Sequence, residues 1–270
     1  MRKEDQSAPP TDQWDTKGRW LAHPFVLLAR MRQMGARGAA RKLYAEARGF
    51  ISMLFSRRWD WKNGVATSGH IATADLVVVG SNSGLGHAAI STSPKTFRFF
   101  SRFFPPNRGE FTYIDMGCGK GRTLLLASTM GFRKVIGVEF APLLCDIARS
   151  NVRNFRAAHE LGDIVEVVNA DATTYPLPHD NLVIYFDNPF YPELWPAMVA
   201  SLVRGFRECP RKMHLLLAGS PTGMFPKYKE EVAKMLTNTG IFRLTASGVA
   251  PFYLDSYQPF HYVAIETSEF

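Results

Sequence analysis

The sequence predicts an α/β fold built on a mostly parallel sheet of seven strands. Short apolar runs alternate with segments of helical periodicity, which is the pattern of strands joined by crossover helices. One run, Leu182–Phe186, is almost continuously apolar, as expected of a strand buried on both faces of a parallel sheet. The last two runs, Phe242–Ser247 and His261–Thr267, are predicted to close the sheet as a hairpin with an antiparallel final strand.

Each element is predicted from its local pattern. The strands are Phe111–Met116, Lys134–Glu139, Ile164–Val168, Leu182–Phe186, Met213–Ala218, Phe242–Ser247 and His261–Thr267. Helices are predicted where apolar side chains recur at helical spacing and where a proline suits a first helical turn. They begin at Ser93, Thr123 and Pro142 and cover Trp195–Phe206 and Lys227–Leu236.

A glycine-rich segment, Asp115–Gly121, lies between the first strand and its helix. Glycine has no Cβ, so it adopts positive φ and lets a ligand approach the backbone, while the helix N terminus offers unpaired N–H groups. Such turns bind nucleotide-like cofactors, although a purely structural turn is the alternative. The dinucleotide fingerprint requires a glycine at its sixth position, where this chain has Arg122. The spacing therefore disfavours a pyrophosphate ligand.

Polar side chains follow the next three strands. Glu139 ends the second strand about 20 residues after the glycine turn, the spacing expected of a ribose-binding acid. Asp171 follows the third strand, where it can accept a hydrogen bond from an adenine amine or cap a helix. The fourth strand runs into Asp187 and then Asn188–Tyr191. Because ligands of open α/β sheets bind outside the carboxyl ends of the strands, these clusters predict one site at that edge.

Together these clusters resemble the motif series of class I S-adenosylmethionine-dependent methyltransferases over residues 96–270. The resemblance implies a Rossmann-like fold and S-adenosylmethionine as the cofactor. It places the methionine part on the glycine motif, the ribose on Glu139, and the adenine on Asp171 with Ala172. The implied cofactor-binding residues are Asp115, Gly117, Cys118, Gly119, Gly121, Glu139, Asp171, Ala172 and Asp187.

The segment that follows the fourth strand resembles the Asn/Asp-Pro-Pro-Tyr/Phe loop of methyltransferases that act on amine or planar nitrogens. In those enzymes the polar side chain and a proline carbonyl accept hydrogen bonds from the target amine, and the aromatic ring packs on the acceptor. The resemblance implies catalytic roles for Asn188, Pro189, Phe190 and Tyr191. Phe190 stands where that family has its second proline, which leaves the carbonyl role open.

A closer resemblance, through Asp115–Ser128 and Phe132–Glu139, is to a largely uncharacterised bacterial group of class I methyltransferases. A stretch similar to Arg58–Asp60 and Gly64–Gly69 recurs in that group. A more distant similarity, at the Gly-Val-Glu end of the second strand, is to non-SET protein lysine methyltransferases. The predicted function is methylation of a nitrogen on a protein lysine, a nucleic acid or a small amine. The alternatives are a small-molecule O-methyltransferase, a nicotinamide oxidoreductase and a non-catalytic cofactor-binding module.

Composition excludes several other classes. No run approaches the ~18 consecutive apolar residues of a membrane helix, and the N terminus lacks a signal-peptide core. A cytoplasmic location is expected, with peripheral association at a membrane surface as the alternative. Cys118, Cys145 and Cys209 form no ligand or disulfide pattern, and the histidines show no paired spacing. No metal is predicted.

The chain is predicted to begin with a flexible tail over residues 1–16. A basic helical extension with a linker or lid follows over residues 17–95, and the methyltransferase domain over residues 96–270. The linker or lid is assigned to the glycine-containing stretch Val77–Ala89 because prolines, and no helix-then-strand unit, follow it.

The extension is strongly basic. Between Lys17 and Lys62, eleven lysines and arginines oppose two acids, a net charge of +9 against +8 for the whole chain. Apolar side chains at partly helical spacing predict helices interrupted at Gly35, Gly38 and Gly49. Three roles remain open: a helical cap on the core with a solvated basic face, an anchor on an acidic surface or membrane interface, and an arm for nucleic acid or an acidic protein.

Overall fold

The structure is a computed structural model of the 270-residue chain. It describes residues 24–69, 71, 91–219, 225–253, 255–256 and 259–268. The predicted tail over residues 1–16 and the predicted linker or lid at Val77–Ala89 lie outside the described residues.

The described part of the chain contains six α-helices and seven strands. The helices are α1 (Pro24–Asn63), α2 (Pro94–Phe100), α3 (Arg122–Ser128), α4 (Pro142–His159), α5 (Trp195–Glu208) and α6 (Phe225–Thr237). The strands are β1 (Phe111–Met116), β2 (Lys134–Glu139), β3 (Val165–Asn169), β4 (Asn181–Asp187), β5 (Met213–Gly219), β6 (Phe242–Val249) and β7 (His261–Thr267). The predicted strands are therefore confirmed, with shifts only at their ends.

The strands form one sheet in the order β3-β2-β1-β4-β5-β7-β6. Every neighbouring pair is parallel except the two that include β7, which runs antiparallel to both β5 and β6. This arrangement confirms the predicted mostly parallel sheet with an antiparallel final strand.

Helix α1 corrects one prediction. It is a continuous helix of 40 residues and passes through Gly35, Gly38 and Gly49 without a break. A single glycine costs about 1 kcal/mol in a helix interior, and the alanines, arginines, lysine and leucine between these positions are strong helix formers that offset it. The predicted interruptions are therefore wrong.

The chain divides into two compact units, residues 1–45 and residues 46–270. The sheet and all the helices after α1 belong to the second unit. The domain limits predicted from the sequence, with a methyltransferase domain beginning at residue 96, stay a prediction.

The core of the second unit lies on both faces of the sheet. All six residues of β1 are buried, which places this strand at the centre of the domain. On one face Phe97 and Phe100 of α2 pack with Tyr113 and Tyr185, so these phenylalanines form core. The opposite face is covered by α5 and α6, with Trp195 as its largest fully buried side chain. This packing holds the strand ends in fixed positions.

The strand order reverses at the centre of the sheet. Strand β2 pairs with one edge of β1, and β4 pairs with the other edge. The register of β1 and β4 sets Asp115 opposite Tyr185. Between two such strands the connecting segments diverge and leave a crevice at the carboxyl ends, where open α/β folds bind their ligands.

Candidate active site

The glycine segment turns sharply at the end of β1. Gly117, Gly119 and Gly121 have φ values of +95°, +53° and +83°, a left-handed region that glycine enters without the penalty of a Cβ. The N–H groups of Gly117 and Cys118 both donate to the carbonyl oxygen of Val138, at 2.8 and 3.1 Å. The turn is therefore fixed to β2 by its backbone.

The glycine turn touches the loop that follows β4. A Cβ placed on Gly117 would lie 2.7 Å from the Cβ of Pro189, which is closer than non-bonded carbon atoms approach one another. Glycine is thus required at position 117 by both its backbone conformation and this contact. The structure brings together the two segments that the sequence singled out for the cofactor and the acceptor.

Asp115 lies buried at the carboxyl end of β1, and its two carboxylate oxygens differ. Oδ2 accepts a hydrogen bond from the hydroxyl of Thr123, whereas Oδ1 has no hydrogen-bond partner among the described residues. Burial raises the pKa of Asp115 to about 8; the Thr123 hydrogen bond opposes this rise, and the charges of Asp187 and Glu139 add to it. A buried oxygen without a partner is costly, so the site suits a ligand that carries a donor or a positive charge.

Glu139 is buried at the end of β2 and braces the glycine turn. Its Oε2 accepts the N–H of Gly119 at 2.9 Å, and its Oε1 accepts the N–H of Ala141 at 3.0 Å. Burial raises the pKa of Glu139, and these backbone donors oppose the rise. The predicted ribose-binding acid therefore also connects the glycine turn to the start of α4.

Asp171 lies in the turn after β3. Its Oδ1 accepts the backbone N–H of Thr173 at 2.9 Å and the hydroxyl of the same residue at 2.7 Å. This is the local capping role that the sequence left as the alternative to adenine binding. Ala172 is buried beside it.

Asp187 ends β4 beside Asp115. Its Oδ2 accepts a hydrogen bond from the hydroxyl of Thr92, which also lies 3.1 Å from the hydroxyl of Tyr185. Burial raises the pKa of Asp187 to about 7, and the Thr92 hydrogen bond opposes that rise. Sequence reasoning missed Thr92, because a threonine two residues before a helix carries no signal that it will meet β4.

Asn188 adopts a left-handed conformation with φ of +47°, which is uncommon for a residue other than glycine. Its N–H donates to the carbonyl oxygen of Ala218 at 2.9 Å, and its Oδ1 accepts from the hydroxyl of Tyr228 at 3.1 Å. The same hydroxyl lies 3.2 Å from the carbonyl oxygen of Phe190. Helix α6 therefore supports the loop through Tyr228, which sequence reasoning also missed.

The two aromatic residues of this loop differ in placement. The ring of Phe190 is buried in the core, with ring centroids 6.3 Å from Phe186 and 5.6 Å from Trp195. The acceptor-facing role of the Phe190 ring stays a prediction. Tyr191 is only partly buried and is the more accessible aromatic side chain of the loop.

An ion pair outside the predicted site lies against the glycine turn. Arg122 donates to the hydroxyl oxygens of Thr67 at 2.6 Å and Ser56 at 2.7 Å, and to Oδ1 of Asp60 at 3.1 Å. The side chains of Arg122 and Asp60 are only 2% and 10% exposed. Burial lowers the pKa of Arg122, and the charge of Asp60 opposes this. The residue that departs from the dinucleotide fingerprint is therefore a buried anchor.

Lys120 forms the second part of this attachment. Its Nζ donates to the carbonyl oxygens of Ser68 and Gly69, at 2.7 and 3.0 Å. Nearby, Asn151 of α4 exchanges hydrogen bonds with the backbone of Ala66. The segment with the Gly64–Gly69 stretch is thus fastened to the glycine turn and to α4. The recurrence of that stretch in the resembling bacterial group was the only sequence signal for it.

Within the described residues, no cluster of histidine, cysteine, aspartate and glutamate has a geometry that could hold a metal ion. The prediction of no metal stays a prediction. None of the described helices is long and apolar enough to span a bilayer.

A seven-stranded sheet with one antiparallel strand, a glycine turn at its centre and buried acids on adjoining strand ends define the class I methyltransferase architecture. Residues 114–209 match the family described as a methyltransferase domain. Residues 114–209 are thus a methyltransferase domain, which supports the predicted S-adenosylmethionine-dependent methyltransferase and its cofactor. The match favours this prediction over the alternatives of a nicotinamide oxidoreductase and a non-catalytic module.

Solved structures with a similar fold include several methyltransferases. Magnesium protoporphyrin IX methyltransferase from Synechocystis PCC 6803, with bound cofactor, is 14% identical with a TM-score of 0.46, over 65% of this chain and 80% of that one. The 23S rRNA methyltransferase ErmE is 15% identical with a TM-score of 0.46, over 66% and 69%. The N-methyltransferase NodS from Bradyrhizobium japonicum WM9 is 10% identical with a TM-score of 0.45, over 65% and 95%. No curated protein matches the sequence.

Proposed function

We propose that the protein methylates a nitrogen atom of an acceptor held by the loop Asp187–Tyr191. The observation that carries this proposal is the contact between Gly117 and Pro189, because it sets the acceptor loop directly against the glycine turn. The left-handed backbone of Asn188 and its hydrogen bond from Tyr228 support it, since conformational cost of this kind is concentrated at functional sites.

The residues around the glycine turn fit S-adenosylmethionine. Oδ1 of Asp115, which has no hydrogen-bond partner in the described part of the chain, suits the ammonium group of the methionine part, and the turn Gly117–Gly121 offers close backbone approach. We assign the ribose to Glu139, the adenine to Asp171 with Ala172, and a supporting role on the cofactor side to Asp187. The bound cofactor supplies a methyl group on a sulfonium, which is open to direct displacement by a nucleophile.

The protein's part in such a reaction is alignment and exclusion of water. The amide oxygen of Asn188 has two lone pairs, one of which accepts from Tyr228. The second lone pair can accept an N–H of the acceptor and so orient the nitrogen lone pair toward the methyl group. An amide does not take up a proton, so Asn188 acts here as a positioning group rather than a base.

The test begins with the transferred methyl group. The full chain is incubated with methyl-labelled S-adenosylmethionine and cell extract, and the products are digested with nuclease or protease. Release of the label by one digestion identifies a nucleic acid or a protein acceptor, and label in an undigested small molecule identifies a metabolite. Hydrolysis of the labelled product to a methylated amine supports nitrogen as the acceptor atom, whereas release as methanol from an ester identifies oxygen.

Variants of the loop then test the assigned residues. Asn188→Ala is expected to lower kcat by about 10²-fold with an unchanged dissociation constant for the cofactor, since it removes an acceptor-positioning group. Tyr228→Phe removes only the support of Asn188 and is expected to have a smaller effect, about tenfold. Asn238→Ala, in an exposed turn after α6, is the matched control. If Asn188→Ala transferred methyl groups to every accepted substrate as well as the wild type does, the proposed role of this loop would be wrong.

A further inference from the structure

The part of α1 within the second unit, residues 46–63, has an inner face on which polar side chains surround Trp59, whose ring stacks on that of Phe155 with 6.2 Å between centroids. Arg48 donates to the carbonyl oxygen of Tyr253 at 2.6 Å, and Ser52 donates to that of Asp255 at 3.1 Å. Further along the helix, Asp60 accepts from Arg122. Helices on the surface of globular proteins usually bury an apolar stripe and expose a polar one. Here hydrogen bonds, an ion pair and the ring contact of Trp59 attach the helix to the domain.

The outer face of the same segment is apolar. Phe50, Leu54 and Trp61 are 51%, 50% and 80% exposed, and Phe55 beside them is 41% exposed. The first three lie on one side of the helix, because positions separated by four and seven residues share a face. The segment therefore exposes large apolar side chains, which the sequence analysis did not predict.

Cations border this apolar face. Arg57, Arg58 and Lys62 are exposed, and of the two acids in the segment only Glu46 is exposed, since Asp60 is buried against Arg122. The outer surface therefore combines large apolar side chains with a positive charge. A solvated basic face would not explain the exposed apolar side chains, and an apolar helix–helix contact would not explain the exposed cations.

We propose that this face, formed by Phe50, Leu54, Phe55 and Trp61 and bordered by Arg57, Arg58 and Lys62, docks on an anionic lipid surface. An interfacial helix buries aromatic and aliphatic side chains at the boundary between headgroups and acyl chains and pairs its basic residues with lipid phosphates. The positive charge of the exposed arginines and lysine favours anionic lipid as the partner of this face. Duplex nucleic acid would engage the cations through its phosphates but leave the apolar side chains in water, and a second copy would set like charges against each other.

The experiment measures co-sedimentation of the full chain with vesicles. One set contains phosphatidylcholine alone, and in the other about a third of the lipid is phosphatidylglycerol. We expect binding to the anionic vesicles to be at least about tenfold tighter, and to weaken as salt is raised. Brominated acyl chains should quench the fluorescence of the wild type more than that of Trp61→Phe, because Trp61 would enter the lipid interface.

Two variants separate the contributions of the apolar face and its charges. Leu54→Ser/Trp61→Ser removes apolar contact, and Arg57→Glu/Arg58→Glu reverses two charges; each is expected to weaken vesicle binding by about tenfold or more. Leu143→Ser changes a leucine of α4 that is 52% exposed, and it should bind like the wild type. Because all these side chains are exposed, the variants are expected to keep the wild-type Tm and circular dichroism spectrum.

Several results would overturn the proposal. Equal binding to neutral and anionic vesicles, or no binding to either, would refute a docking surface for anionic lipid. A dimer that Leu54→Ser/Trp61→Ser dissociates, without vesicle binding, would show that a second copy covers the face. Binding to an RNA homopolymer that the apolar variant leaves intact, again without vesicle binding, would assign the charges to nucleic acid.

Discussion

At the residue scale, the site is built from groups that are unfavourable in isolation. Asp115 buries a carboxylate oxygen that finds no partner among residues the structure describes, Asn188 holds a left-handed backbone, and Gly117 lies against Pro189. Each feature costs folding free energy unless something else requires it. Departures from local rules of this kind are expected where a protein binds a ligand.

Asp115→Asn is expected to separate stability from binding. Burial raises the pKa of the folded-state carboxyl to about 8, whereas an unfolded aspartate titrates near ~3.9. The contribution of this group to stability is therefore full below pH ~4 and is lost as pH rises toward 8. The variant has no carboxyl group at this position and does not lose stability in this way. The Tm of the variant should therefore rise relative to that of the wild type between pH 5 and 8, as measured by thermal unfolding at a series of pH values.

The same variant should bind the cofactor more weakly. Asparagine can accept a hydrogen bond from an ammonium group but cannot form an ion pair with it, so we expect a loss of at least about tenfold in affinity for S-adenosylhomocysteine by calorimetry. Wild-type affinity should rise from pH 6 to 8 as the carboxylate forms, and this dependence should be reduced in the variant. Asp146→Asn, at an exposed position of α4, is the control. Equal binding by Asp115→Asn and the wild type at pH 8 would contradict the assignment.

Gly117→Ala and Gly131→Ala form a matched pair. Both glycines have positive φ, but a Cβ on Gly131 meets nothing within 4 Å, whereas one on Gly117 meets Pro189. Gly131→Ala should cost about 1–2 kcal/mol of unfolding free energy, from the left-handed backbone alone. Gly117→Ala should cost about 2–5 kcal/mol, because overpacking adds to that cost, and it should also abolish cofactor binding. Denaturant unfolding and calorimetry measure the two quantities; equal effects would show that the contact with Pro189 is unimportant.

At the element scale, the end of α1 and the stretch after it belong with the glycine turn. Asp60 accepts the hydroxyl of Thr67 and the N–H of Ser68, both at 2.6 Å, and it pairs with Arg122. Asp60 thereby connects the end of α1 to Thr67 and Ser68, and it fixes the position of the groups that accept hydrogen bonds from Arg122. Because Arg122 begins α3, this network positions the helix that follows the glycine turn.

Asp60→Asn is expected to destabilise the protein by about 3 kcal/mol, because it leaves the buried guanidinium of Arg122 without its counter-charge. The effect should reach the cofactor as a higher KM for S-adenosylmethionine. Asp146→Asn breaks an exposed pair with Arg149 and should cost less than about 1 kcal/mol. Denaturant unfolding gives both values, and a cost for Asp60→Asn no larger than that of the control would show that the network is not important for stability.

At the scale of the whole molecule, the strand order decides where the site lies. Parallel connection of β1, β2, β3 and β4 brings four strand ends from different parts of the chain to one edge of the sheet. The crevice forms between β1 and β4 because the order reverses there. The segment from residue 46 to Gly69 adds to this edge, although it precedes the sheet in sequence.

Truncation tests where the cofactor-binding unit begins. A fragment of residues 46–270 keeps every partner of Arg122 and Lys120 and should show the thermal stabilisation by S-adenosylhomocysteine seen with the full chain. A fragment of residues 96–270 lacks Asp60 and Thr67, so Arg122 would be buried without a counter-charge and binding should be lost. Full binding by the shorter fragment would instead support the domain limit predicted from the sequence.

The fold and the strand-end chemistry were predictable from the sequence. Periodicity marked all seven strands, and the acids and glycines at the strand ends marked the edge of the sheet that carries the candidate site. The support of that site was not predictable. Thr92, Tyr228 and Asp60 reach Asp187, Asn188 and Arg122 from distant parts of the chain, and an ordinary threonine, tyrosine or aspartate carries no local pattern that names its partner.

The sequence by itself determined the strands, most of the helices and the residues at the strand ends, because these depend on spacing over a few residues, and the resemblance of these motifs to a known family indicated the class of enzyme. Only the tertiary structure decided that Phe190 belongs to the core, that Arg122 is a buried anchor and that residues 46–63 of α1 expose large apolar side chains. The physical reason is that burial and pairing depend on which elements meet across the fold. That depends on strand order and helix packing, which connect residues far apart in the chain.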